Sequence, residues 1–238
     1  KAAYFWPVYG ELADVFTIQT TIAQAIVRAL EARLSPEERR RLAERPTEST
    51  AAYDLFLRAR VRSQGAGISL QADLETERLL EQAVAVDSGF ALAFALLGEA
   101  RTATYWFSAD RTPERLAAAK EAIDRAFRLR PDLPEAHFAL AAYYYRGFYD
   151  YPRSLEQLEI ARRGFPGSTK VLHLMGLTLR RLGRLSESVD AFEEAAQLDP
   201  ANLSSKGEWF NTSIDARLWD RARAISQRLA ADHPRNGT

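Results

Sequence analysis

The 238-residue sequence contains no cysteine and only one methionine, Met175. Without cysteine the chain can form neither disulfide bonds nor thiolate metal sites. That composition fits a reducing compartment, and we expect a cytoplasmic protein. Because the single methionine lies far from residue 1, we also expect the sequence to be a fragment of a longer protein.

Net charge and long apolar runs are absent as well. Lys and Arg number 32, as do Asp and Glu, so the formal net charge is zero. Binding to a nucleic-acid backbone depends on an excess of positive charge, so we expect no nucleic-acid partner. The longest uncharged apolar run, residues 88–98, is far shorter than the roughly 20 residues that a membrane span requires. Residues 1–10 lack the apolar core of a signal peptide, so we expect no membrane partner.

Catalytic motifs are missing too. The histidines His137, His173 and His233 lie far apart, and none belongs to the i, i+4 pair of a helical metal site. Residues 65–67 read Gly-Ala-Gly but lack the third glycine and the preceding strand of a dinucleotide loop. Neither a phosphate loop nor a nucleophile elbow is present. We therefore expect a protein that is not an enzyme, with no catalytic residue, no metal and no cofactor.

The clearest positive signal is a pair of amphipathic helices at residues 169–202. Each helix has an apolar face whose members follow the helical spacing of three and four residues. These faces comprise Leu172, Met175, Gly176 and Leu179 in the first helix, and Leu185, Val189, Phe192 and Ala195 in the second. A polar turn at Gly183 separates the helices, and Pro200 ends the second because proline lacks the N–H of a helix interior. One such hairpin leaves its apolar face half exposed and needs a neighbour.

Neighbouring copies are present at a fixed period. Pro166, Pro200 and Pro234 are 34 residues apart. The apolar pattern moves with them, since the preceding copy carries Phe138, Ala141, Ala142, Tyr145, Leu158 and Ala161. The period and the alternation of large and small residues resemble the tetratricopeptide repeat (TPR). This resemblance implies an all-α fold, a right-handed α-solenoid of about five TPR hairpins.

The repeats fill residues 50–238, at about 50–90, 91–133, 135–168, 169–202 and 203–236. The second is about nine residues longer than the period, and the excess lies around residues 105–113. This predicts a lengthened first helix and a long turn with exposed aromatic residues. In the fifth repeat, bulky Phe210 and Leu229 replace small residues, so we expect looser packing or an end cap.

Residues 11–46 form a connector ahead of the array. Apolar residues recur at steps of three and four and predict an amphipathic helix over residues 11–34, and a second short helix starts at Ser35-Pro36. Residues 12–23, 34–38 and 52–55 resemble the segment that joins a TolB-like domain to TPRs in bacterial signalling proteins. The resemblance implies an upstream adenylate cyclase, Ser/Thr kinase or winged-helix domain. We expect the aromatic-rich residues 1–10 to be the remnant of an upstream domain or to fold back onto the first helix.

In TPR proteins the first helix of each repeat lines the concave face. Carried over by position, the resemblance places these residues there: Arg58, Arg62, Glu99, Tyr143, Arg146, Lys170, His173, Leu177, Arg180 and Asn211. The cations among residues 143–180 form a basic group that suits an acidic peptide or a terminal carboxylate. The alternative is that they are solvated charges on an exposed helix face.

Three functions follow from these features. The first is a non-catalytic scaffold that binds a protein or peptide segment in its concave groove. The second is a regulatory or sensory arm of a larger bacterial signalling protein. The third is self-association through the apolar face of helix 11–34, giving a homodimer, against the alternative that this helix caps the first repeat.

Overall fold

A computed structural model describes residues 44–63, 70–107 and 110–232, together with Ile22 and Ala25, and gives side chains as far as Gln227. These residues form ten α-helices and one π-helical turn at Tyr144–Phe148, without a β-strand in the described ranges. The all-α prediction is confirmed. The helices are α1 Thr50–Ser63, α2 Leu70–Val86, α3 Ala91–Phe107, α4 Pro113–Leu129, α5 Pro134–Tyr143, α6 Tyr151–Gly164, α7 Thr169–Arg181, α8 Leu185–Leu198, α9 Leu203–Asp215 and α10 Trp219–Asp232.

The helices stack as successive antiparallel pairs. Each odd-numbered helix packs on the even-numbered helix that follows it, and each pair packs on the next along the chain. Helices α3 and α5 also contact each other directly, so the first helices of the second and third pairs lie side by side. This arrangement is a solenoid, in which each pair buries its apolar face mainly against adjacent pairs.

The helix starts follow from local sequence. Thr112, Asp150, Ser168 and Asn202 each accept a hydrogen bond from a backbone N–H of the following first turn. Such side-chain caps satisfy backbone donors that have no partner within the helix. Proline also occupies the first turn of α4, α5 and α6, where its missing N–H costs no hydrogen bond. Caps and prolines together fix where the helices begin.

The turns inside the last three pairs share one backbone feature. Tyr149, Gly183 and Arg217 have φ values of 56°, 75° and 57°, in the left-handed region. They are 34 residues apart, so the repeat extends to backbone conformation. Glycine adopts this conformation at little cost, whereas tyrosine and arginine do so less readily.

Buried residues form a chain of clusters along the solenoid. One joins α1, α2 and α3 around Phe56, Leu80 and Phe90. Another joins the third and fourth pairs, and a further one joins the fourth and fifth around Phe192 and Trp209. A Cβ atom added to Gly176 would lie 2.7 Å from the Phe192 ring, which shows how closely α7 and α8 approach.

The second and fifth pairs differ from the others. Helix α3 has 17 residues against 13 in α7, and α4 begins only at Pro113. Phe107 is 45% exposed at the end of α3. In the last pair Phe210 is only half-buried, and the side chain of Leu229 lies outside the described part. The predictions for residues 1–10 and for most of the connector also fall outside the described residues.

Candidate functional site

A groove of about 1050 Å³ runs across the first four helix pairs of the solenoid. It is lined chiefly by the first helices of the first four pairs, α1, α3, α5 and α7, with α2 and the turn between α6 and α7 at its margins. Much of its wall is apolar, formed by Phe56, Leu92, Leu96, Ala100, Ala103, Phe107, Phe138 and Val171. A groove of this size and lining is typical of ligand sites.

The residues of α3 show how the sequence builds this wall. Leu92, Leu96, Glu99 and Ala103 lie four, three and four residues apart and therefore form one stripe of the helix that faces the groove. A different stripe, which includes Gly98 and Thr102, is buried against the helices behind it. Helix α3 therefore buries one face and lines the groove with another.

Three of the residues that the sequence places on the concave face line this groove, namely Glu99, Arg146 and Lys170. The Lys170 Nζ lies 2.5 Å from Oε1 of Glu99 and 4.8 Å from the centre of the Phe138 ring. The guanidinium of Arg146 lies 5.4 Å from the centre of the Phe107 ring. Burial lowers the pKa of Arg146 below its ordinary range, and the carboxylates of Glu99 and Asp73 partly offset this effect.

Three acidic residues line the groove beside these cations. They are Asp73, Glu99 and Glu135. Burial raises the pKa of Asp73, while the charge of Arg146 acts in the opposite direction. The described lining also contains Arg60 as a third cation, so three cations face three carboxylic acids. The groove is therefore balanced in charge, although the sequence predicts a basic one.

His173 and Arg180 do not line the groove but contact the fifth helix pair. The Arg180 Nη1 donates hydrogen bonds to Oε2 of Glu208 at 2.5 Å and to Oγ1 of Thr212 at 3.2 Å. Nδ1 of His173 lies 3.2 Å from Oγ of Ser205. Burial lowers the pKa of His173, which favours a neutral imidazole in the folded protein.

The other predicted residues are dispersed. Tyr143 is only 8% exposed and packs in a cluster with Leu116 and Ile123, and burial raises the pKa of its hydroxyl. Leu177 is half-buried between two clusters, and Asn211 is exposed on α9. The predicted site thus divides into groove residues, residues between α7 and α9, and one core residue.

On α1 the groove residues are Phe56, Arg60 and Ser63, whereas the sequence predicts Arg58 and Arg62. Two residues correspond to roughly half a turn of helix, so Arg60 points away from the side that carries the predicted pair. Arg58 and Arg62 instead lie 3.7 Å from Asp54 and Glu75. Sequence reasoning also missed Asp73, because it belongs to a second helix and the repeat pattern assigns those helices to the outer face.

Metal-binding clusters and membrane spans are absent from the part of the chain that the structure describes. Within residues 44–63, 70–107 and 110–232, no group of three or more His, Asp or Glu side chains could hold a metal ion. None of the helices in the same ranges has the length and apolar character needed to cross a bilayer.

The comparisons with known proteins agree with this architecture. The family model for the tetratricopeptide repeat matches residues 169–202. A search of curated proteins finds no significant match. Among solved structures, PilF of Pseudomonas aeruginosa is similar, with a TM-score of 0.57 and 16% identity, over 76% of each chain.

Two further structures extend the likeness. A thermophilic TPR protein of Thermus thermophilus is 15% identical with a TM-score of 0.59, over 78% of this chain and 93% of that one. A MamA fragment from Desulfovibrio magneticus is 15% identical with a TM-score of 0.50, over 78% and 94%. At these identities the likeness concerns the fold, which is that of a TPR solenoid.

Proposed function

We propose that this TPR-type helical repeat protein is a non-catalytic scaffold that binds a peptide segment of another protein in its groove. The supporting observation is the groove itself, whose apolar wall is assembled from the first helices of four successive pairs. Exposed apolar surface in a concave site favours a ligand that buries apolar side chains there. The described residues that line the groove contain no arrangement of nucleophile, base and oxyanion donors that would favour catalysis instead.

The charges of the groove indicate which peptides can bind there. Lys170 is paired with Glu99, and Arg146 lies in the field of Glu99 and Asp73. An acidic peptide would have to compete with these carboxylates, whereas an apolar, uncharged segment can bind beside them. The ligand that fits best is therefore a segment with apolar side chains and few acidic ones.

A groove-blocking variant tests the proposal. Peptides would be selected on the wild-type protein from a random twelve-residue phage library, synthesised and measured by fluorescence anisotropy. In Ala103→Trp a large side chain would fill part of the groove, because Ala103 lines it on α3. The matched control is Ala85→Trp on α2, where Ala85 is exposed and does not line the groove. We expect the Kd to rise at least about tenfold for Ala103→Trp alone. Equal affinity in all three proteins would refute the proposal.

Self-association through helix 11–34 is a second candidate, favoured by one observation. Ile22, which the sequence pattern places on the apolar face of the predicted helix, is 54% exposed. Exposed apolar faces commonly mark interfaces. Light scattering over a dilution series should then show a dimer that Ile22→Glu converts to a monomer. A constant monomer mass for the wild-type protein would exclude this function.

A regulatory arm is a third candidate. Thr47 Oγ1 donates a hydrogen bond to the Asp87 carboxylate, and Arg130 Nη2 lies 3.1 Å from Oε2 of Glu44. These contacts join the residues around the end of the connector to the turn after α2 and to the end of α4, so a change in the array can reach the connector. We expect deletion of residues 50–238 to alter the output of the full-length protein. An unchanged output would end this idea.

A further inference from the structure

Glu99 lies at the centre of the charges in the groove. Its Oε1 is 2.5 Å from Nζ of Lys170, and its carboxylate favours the charged form of Arg146. The side chain of Glu99 is 16% exposed, whereas that of Lys170 is 55% exposed. The carboxylate is therefore held within the wall, and the ammonium group reaches it from the solvent side.

This pair joins helices that are not neighbours in the stack. Glu99 belongs to the second helix pair and Lys170 to the fourth. The ammonium lies over the ring of Phe138, which belongs to the third. Through Lys170, the ion pair thus connects groups from three successive helix pairs in the wall of the groove.

The two cations have few other acidic partners. Among the described residues, Arg146 has no ion pair within 4.0 Å, and the ion pair of Lys170 is the one with Glu99. Asp73 acts on Arg146 more weakly than Glu99 does. Without the Glu99 carboxylate, Lys170 would therefore lose its ion pair and Arg146 its stronger acidic neighbour.

We infer that Glu99 is an internal counter-ion that occupies the position of a ligand carboxylate and so sets the charge of the segments that the groove accepts. This inference rests on the proposed function. With Glu99 present, the groove favours uncharged segments, because an acidic side chain must displace a carboxylate that is already bound. Without Glu99, Arg146 and Lys170 become a receptor for acidic segments through charge-assisted hydrogen bonds.

The test uses a labelled hexaglutamate peptide as the probe and a hexaglutamine peptide as the uncharged control. Binding is measured by fluorescence anisotropy for the wild-type protein and for Glu99→Gln. Charge-assisted hydrogen bonds correspond to about tenfold to hundredfold in affinity, so we expect Glu99→Gln to bind hexaglutamate at least about tenfold more tightly than the wild type. Hexaglutamine should show no such gain. Higher salt should reduce the gain, because screening weakens attraction between charges.

Two further variants show whether the gain comes from this site. Glu208→Gln removes a carboxylate that lies at the same 2.5 Å distance from a cation, Arg180, outside the groove. It should leave hexaglutamate binding unchanged. Adding Lys170→Gln to Glu99→Gln should abolish the gain. Equal binding by the wild type and Glu99→Gln, or an equal gain in Glu208→Gln, would overturn the inference.

A folding control completes the design. Far-ultraviolet circular dichroism is recorded for Glu99→Gln and for a second variant, Glu99→Met, which keeps the length of the side chain. Loss of the helical fold in both would make Glu99 a structural ion-pair partner and overturn the inference. Because the hexaglutamate probe is independent of the selected peptides, failure of the proposed function appears in the Ala103→Trp comparison and failure of this inference in the Glu99→Gln comparison.

Discussion

Replacing Gly98 with alanine tests the close packing on which the wall of the groove depends. A Cβ atom at this position would lie 2.5 Å from Cγ1 of Ile123 and 3.0 Å from the carbonyl oxygen of Ala119. Both atoms belong to α4, and neither is the far end of a flexible side chain. Helices α3 and α4 would therefore have to move apart for the methyl group to fit.

The expected magnitude is the difference between two effects. Overpacking a well-packed core costs about 1–3 kcal/mol. Alanine in place of glycine inside a helix contributes about 1 kcal/mol of stability. We therefore expect Gly98→Ala to lower the free energy of unfolding by up to about 2 kcal/mol. In a protein of this size, each kcal/mol corresponds to about 2–4 °C in Tm.

Gly207 provides the matched control. It lies inside α9, and nothing lies within 4 Å of the position its Cβ would take. Gly207→Ala should therefore raise the free energy of unfolding by about 0.5–1 kcal/mol, without a packing cost. Urea unfolding followed by circular dichroism measures both variants against the wild type. If the two substitutions change stability in the same direction, the reasoning from helix approach at Gly98 is wrong.

Three further predictions concern charge, pH and backbone. Arg115 Nη1 lies 2.8 Å from Oε1 of the largely buried Glu77. In urea unfolding, Arg115→Met should lower the free energy of unfolding by about 3–5 kcal/mol, and adding Glu77→Leu should recover much of that loss. Equal stability of Arg115→Met and the wild type would contradict this. Burial lowers the pKa of His173, so as the pH falls below about 6.5 the unfolded chain takes up a proton before the folded protein does, and the folded state loses stability. His173→Gln should therefore lose less stability than the wild type between about pH 8 and pH 5, and an equal loss would contradict this. Arg217 has a left-handed backbone with a φ of 57°, so Arg217→Gly should raise the free energy of unfolding by about 0.5–1 kcal/mol, whereas Gly183→Ala should lower it by about 1 kcal/mol. A loss of stability in Arg217→Gly would show that its side chain matters more than the backbone.

The architecture could be predicted because its signals are local. Residues 169–202 specify two helices through apolar spacing over three or four residues, and Gly183 has the left-handed backbone that such a turn requires. Thr112 and Pro113 likewise mark the start of α4 after the long turn, and Thr112 accepts the capping hydrogen bond. Each of these features depends on a few neighbouring residues. A fold built from adjacent hairpins is therefore accessible from sequence.

The residues that line the groove could be predicted from the sequence only in part. The repeat period indicates which helix faces inward, but an error of two residues in register moves a side chain about half a turn. Arg60 lines the groove on α1 for this reason, rather than Arg58 and Arg62. Tyr143 follows the pattern of an inner-face residue yet lies in the core, where it packs against Ile123 of α4. These placements depend on the positions of helices relative to one another.

The charge of the groove depends on contacts that no local pattern contains. Glu99 and Lys170 are 71 positions apart in the sequence (170 − 99), and they pair only because the stacked helix pairs bring α3 and α7 to the same groove. A concave surface partly removes its side chains from water, and a cation there is costly without a counter-ion. Arg146 and Lys170 both lie close to acidic side chains, and Arg180 is paired with Glu208 in the same way. A row of cations on one predicted helix face is therefore weak evidence for an acidic ligand, because neighbouring helices can supply the carboxylates that such a ligand would bring.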